Sequence, residues 1–198
     1  MYITLVQTPY YFDTISQLTL KITTMKTIFI FLLILTFNTL QAQMLISPID
    51  AMKEAYDLNA TITKKNILLS NTKFNKIQKN SKTKLTTKIY RIFTAKKDDK
   101  ILGYGVLVSR KVRSKNGVVL YFIKNNNLVG IEVIAFNEAP EYLTTDGWNS
   151  QFKDINTSKM LRLNRDIPSI SGATMSARSV VEGSRIAFAV YNELLKGK

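Results

Sequence analysis

The chain has 198 residues, with neither cysteine nor histidine, and 28 Lys and Arg stand against 14 Asp and Glu for a formal net charge of +14. Without those two residue types there is no disulfide, no thiolate or imidazole zinc site, no haem attachment through Cys-x-x-Cys-His, no lipobox cysteine and no imidazole base for a catalytic triad. The length and a hydrophobic fraction of 45% suit one globular domain plus a short extension, and the excess of cations favours anionic partners.

In chain order, residues 1–24 hold Asp13 as their one acid and Lys21 as their one base. Met25-Lys26-Thr27 is followed by an apolar run from Ile28 to Phe37 and then by small and polar residues ending in Gln41-Ala42-Gln43. A basic start, a short apolar centre and a small-residue end make a secretory signal peptide over 25–43, cleaved near Ala42 or Gln43. The apolar run is about ten to fourteen residues, short of the roughly 18 to 20 needed to cross a bilayer. Met25 is accordingly read as the start and 1–24 as an upstream extension. The mature domain, 44–198, is expected in the periplasm or otherwise exported, with association at a membrane in keeping with its charge.

Ile49 to Tyr56 has helical spacing after Pro48, and Ser70 or Asn71 caps a second helix running to about Asn80. The period then becomes strand-like over Thr87–Ala95, Ile101–Val112, Val118–Lys124 and Leu128–Phe136. The connectors Asp98-Asp99-Lys100, Ser114-Lys115-Asn116-Gly117 and Asn125-Asn126-Asn127 are short and polar, which predicts an antiparallel meander. A loop-rich stretch from Asn137 to Asn164 follows, with one helical turn near Trp148 to Lys153. From Thr174 onward, Ala177, Val180, Val181, Ser184, Ala187, Phe188, Tyr191 and Leu194 recur at steps of three and four, the pattern of a long amphipathic helix. The expected fold class is α+β, an antiparallel sheet of about four strands packed with this C-terminal helix and the shorter N-terminal ones.

Lysines crowd the region from Lys64 to Lys115, interleaved with Asn and Thr. Such a run is either a solvated face or a docking surface for an acidic partner or an anionic membrane.

Ser171-Gly172-Ala173-Thr174 opens the last helix with a glycine that lets a ligand approach, two hydroxyls and unpaired backbone N–H groups. Those features serve equally as an ordinary helix cap and as a phosphate-binding terminus. The longer segment Ser171-Gly172-Ala173-Thr174-Met175-Ser176-Ala177-Arg178-Ser179-Val180 resembles the attachment segment of the FMN-binding domain family. That family includes peripheral subunits of the sodium-pumping NADH:quinone oxidoreductase. Looser likenesses run upstream in the family's order, through Gly103-Tyr104-Gly105, Ile131-Glu132-Val133, Phe136 to Glu141, and Trp148 with Gln151-Phe152.

The resemblance implies FMN as cofactor, esterified through its phosphate to Thr174 by a separate flavin transferase that consumes FAD. It implies a phosphate surrounded by Ser171, Gly172, Ala173 and Ser176, with Arg178 either reaching it or pairing with Glu182. Glu138 either bonds the ribityl chain or ring edge or is a surface carboxylate; Trp148 either stacks on the flavin or packs in the core. The family's Asp six residues before the Thr falls here on Pro168, and the nearest acid is Asp166. The expected partners are the transferase and a membrane redox complex or another periplasmic electron donor and acceptor, with no nucleic acid. No substrate acid/base pair stands out, so the chain reads as an electron carrier without catalytic residues or a metal of its own. The competing reading is a flavin-free basic module that binds an anionic polymer or membrane surface.

Overall fold

A computed structural model describes residues 44–197, together with Lys21, Ile22 and Lys26, which are helical. The expected signal peptide and upstream extension otherwise lie outside the described residues, among which no helix is long and apolar enough to cross a membrane.

Pro48–Tyr56 forms α1, with Pro48 in the first turn, where its missing N–H costs nothing, and the Ser47 hydroxyl accepting the Ile49 N–H. Ser70 caps α2, Asn71–Ser81, by accepting the Lys73 N–H, and the helix ends at Lys82 in the left-handed conformation. The sheet is antiparallel and strictly sequential: β1 Thr61–Leu68, β2 Ile89–Lys97, β3 Lys100–Lys111, β4 Asn116–Lys124, β5 Asn127–Phe136 and β6 Ile155–Asn156. Asp98-Asp99 and Asn125-Asn126 turn the β2–β3 and β4–β5 hairpins with positive φ at both central residues, as the right-handed twist of the strands requires.

The sheet has six strands, not four. The additional β1, Thr-Ile-Thr-Lys-Lys-Asn-Ile-Leu, has no buried residue and carries Lys64-Lys65-Asn66 at its centre. Its identity comes from pairing with β2 over its whole length, from Thr61↔Lys96 to Leu68↔Ile89. Lysines on an edge strand are a common guard against further strand addition, and they also erase the apolar alternation by which a strand is read. The second addition, β6, is two residues long and exists through its pairing with Asn127 and Leu128.

The long helix, α4 (Thr174–Leu194), lies across one face of the sheet over Val106, Val108, Tyr121, Ile123 and Val133. On the opposite face α1 sets Met52 over Gly105 and Tyr56 over Gly103, and the Tyr56 hydroxyl donates to the carbonyls of Tyr104 (2.9 Å) and Ile123 (3.1 Å). Between α4 and the sheet, Gly183 faces the phenol of Tyr121, whose hydroxyl donates to the Val180 carbonyl at 2.8 Å. A Cβ at 183 would collide with that oxygen. Gly183→Ala gains about 1 kcal/mol of helix propensity but overpacks the interface at a cost of roughly 1–3 kcal/mol. A net destabilisation is therefore expected in urea unfolding, and Tyr121→Phe in the same chain relieves part of it by removing the colliding atom.

Candidate functional site

The loop entering α4 makes a tight turn in which the Ile170 carbonyl accepts both the Ala173 N–H (3.1 Å) and the Thr174 hydroxyl (3.3 Å). Gly172 sits at φ +78°, a conformation that side-chain-bearing residues rarely adopt, and the space a Cβ would occupy is open. Ala173 precedes the helix and offers no side-chain cap. As a result, the backbone N–H groups of Thr174, Met175 and Ser176 have no partner among the described residues. Three unpaired donors at the positive end of a 21-residue helix form an anion-binding terminus. Ser171, Gly172 and Thr174 are exposed around it, while Ala173 is buried beneath.

Ser176 points the other way. It is 2% exposed, and its Oγ has no hydrogen-bond partner among the described residues. Thr144, 6% exposed, leaves its Oγ1 equally unpaired. Both line one small enclosed space, walled by Val112 and Gly117 from the β3–β4 end, Phe136 from β5, and Leu143. Two buried hydroxyls without partners are costly, about 1–3 kcal/mol each, unless something else supplies the missing bonds. The residues present thus fit a bound phosphate ester at the helix mouth itself, through unpaired donors and an exposed hydroxyl, whereas the Ser176 and Thr144 hydroxyls face a buried space of about 10 Å³, too small to admit a phosphate.

The other expected site residues divide. Glu138 is spent locally: its Oε1 accepts the N–H groups of Arg113 (3.0 Å), Ser114 (2.6 Å) and Lys115 (2.7 Å), closing the β3–β4 turn. Led by the bond from Lys115, these donors pull the carboxyl from 4.5 down to about 2. A carboxyl depressed on folding adds stability above its unfolded value that disappears as the pH falls through the folded one. The melting-temperature gap between the parent and Glu138→Gln should therefore be fully open at neutral pH and close as the pH falls from 4.5 towards 2.

Trp148 is 8% exposed, inclined on Phe152 at 5.1 Å between ring centroids, and its indole N–H donates to the Pro168 carbonyl at 2.9 Å. It is placed in the core, fastening the loop that leads to the helix mouth. The short helix beneath it, α3, spans Asp146–Asn149, earlier than the turn expected over 148–153, because the Thr145 hydroxyl caps it by accepting the Trp148 N–H. Asp166 accepts the Arg162 N–H (2.9 Å) and pairs with Lys159 (3.3 Å), so its carboxylate closes its own turn.

Arg178 is exposed and has no ion pair among the described residues, whereas Glu182 pairs with Arg110 and, at 3.7 Å, with Arg185. Two further residues flank the region without a sequence signal to mark them. Thr144 contributes the orphaned hydroxyl, and Arg113 stacks its guanidinium on the Tyr142 ring at 4.4 Å. Both sit in loops, where only the folded chain assigns neighbours.

A comparison with curated proteins returns no match. Residues 114–189, from the β3–β4 turn through most of α4 and including the Thr174 mouth, match the model of the FMN-binding domain family.

Proposed function

We propose that this protein is an exported flavoprotein that holds FMN by its phosphate at the mouth of α4, with Thr174 Oγ1 as the ester oxygen, and that it carries electrons between a membrane redox complex or other periplasmic donor and an acceptor. The observation that carries the reading is the uncapped mouth itself. An exposed threonine hydroxyl stands at the first position of a helix whose first three N–H groups are unpaired, inside the matched domain. FMN, when bound, supplies the redox chemistry.

The chain's own residues hold and orient. The N–H groups of Thr174, Met175 and Ser176 take the phosphate oxygens, the positive φ of Gly172 keeps the approach open, and Arg178 adds a free cation one turn up the helix. Attachment makes one P–O bond from Thr174 Oγ1 to the flavin-side phosphorus of FAD. It breaks the pyrophosphate bond and releases AMP and the hydroxyl proton. The transferase supplies the base for that step, which accords with a chain that has neither histidine nor cysteine. The domain match favours this reading over a flavin-free basic module.

The test is the full chain made in an export-competent host with and without a flavin transferase. With it, the protein is yellow, fluoresces on a denaturing gel and gains the mass of one FMN phosphoester. A colourless protein of bare polypeptide mass in both hosts would discard the proposal.

A further inference from the structure

The α1 face of the sheet is only partly covered. β2 pairs with β3 no further than Arg91↔Leu107, so beyond that rung the paired strands β1 and β2 diverge and leave a groove of about 530 Å³. Leu107, Val118 and Ile134 floor it, and Ile89 and Met44 rim it. The rungs Leu68↔Ile89 on one side and Ser109↔Val118↔Ala135↔Met44 on the other run along this same end of the sheet. Three large aliphatic side chains stand out from it: Leu68 is 72% exposed, Met44 64% and Ile89 57%. Single exposed apolar residues are ordinary, but a line of them around an apolar groove marks a binding surface.

Charge selects the partner. Arg91 lies two residues from Ile89 along β2 and Lys64 four from Leu68 along β1, both on the same face, and Lys111 lies two beyond Ser109; all three are exposed. Asp50 and Glu54 are the exposed acids on α1, and the chain as a whole carries 28 cations against 14 acids. Protruding aliphatic tips ringed by Lys and Arg are the chemistry of an anionic bilayer surface, in which the tips enter the acyl boundary while the cations meet headgroups.

We infer that this end of the sheet docks on an anionic lipid bilayer through Leu68, Ile89 and Met44, with Lys64, Arg91 and Lys111 at the headgroups. The next rung, Gly117↔Phe136, lines the space behind Ser176, so the α4 mouth belongs to the same sheet end on the other face. On the flavin reading, docking brings the cofactor mouth to the membrane surface. The docking itself holds with or without flavin.

Sedimentation of the full chain with phosphatidylcholine vesicles, with and without phosphatidylglycerol, tests it. The parent partitions onto the anionic vesicles only. Leu68→Ser with Ile89→Ser, both at exposed positions that leave the fold intact by circular dichroism, lowers that partitioning about tenfold. The chain has no cysteine. A polarity-sensitive dye on Ile89→Cys therefore reports one place, and it shifts to the blue on anionic vesicles; on Thr61→Cys, at the far end of β1, it does not. Equal binding by the double variant, or equal dye response at both positions, overturns the inference. The measurement does not depend on colour, so a failure of the flavin reading is seen separately.

Discussion

Thr174→Val, expressed with a flavin transferase, is expected to be colourless after denaturation and to have the mass of the bare chain, while remaining folded. The side chain is exposed and its one internal bond, to the Ile170 carbonyl at 3.3 Å, is long, so its loss costs the fold at most about 1 kcal/mol. Valine keeps the branched shape and removes only the oxygen. The three unpaired N–H groups of the mouth survive the change, so free FMN still meets an anion site there, but one that a denaturing wash empties. Thr174→Ser retains a hydroxyl on the same carbon and is expected to recover part of the attachment. Persistent covalent flavin in Thr174→Val would move the ester to Ser171, the other exposed hydroxyl of the segment.

Trp148→Ala is expected to be the most damaging single truncation near the mouth. It deletes a side chain that is 8% exposed, leaves Phe152 facing a cavity and orphans the Pro168 carbonyl. Core truncations of this size cost about 3–5 kcal/mol, a large share of the roughly 5–15 kcal/mol that holds a domain together. Trp148→Phe separates packing from tethering. It keeps an aromatic ring but loses the 2.9 Å bond to Pro168, at an expected cost of about 1–2 kcal/mol. Because Pro168 lies six residues before Thr174, the Phe variant is also expected to take up flavin more slowly than its small loss of stability would explain. Since Trp148 is the single tryptophan, unfolding of the variants is followed by circular dichroism, and the parent's own fluorescence reports the state of this loop.

Pro168 stands where the resembling family has an acid, and the structure shows what each neighbour does instead. The Pro168 carbonyl receives the Trp148 indole, and Asp166, two residues earlier, is engaged by the Arg162 N–H and Lys159. The mouth is thus held by a tryptophan and a separate carboxylate turn. If the transferase reads the entering loop, Asp166→Asn bears on it chiefly through the shape of residues 162–167.

The parts legible in the sequence were those whose causes lie within a few residues. The Ser70 cap, the positive-φ asparagines of the β4–β5 hairpin, the three- and four-residue rhythm of α4 and the Ser171-Gly172-Ala173-Thr174 mouth are local arrangements, and local chemistry dictates them. Only the tertiary structure could assign the rest. Thr61–Leu68 is a strand because β2 lies beside it, and Glu138 ties a turn more than twenty residues upstream because β4 and β5 bring it there. Ser176 and Thr144 become a pair of unpaired hydroxyls only when α4 closes over the end of the sheet. Propensity and capping act along the chain, whereas burial and hydrogen-bond satisfaction depend on which distant segments the fold places in contact.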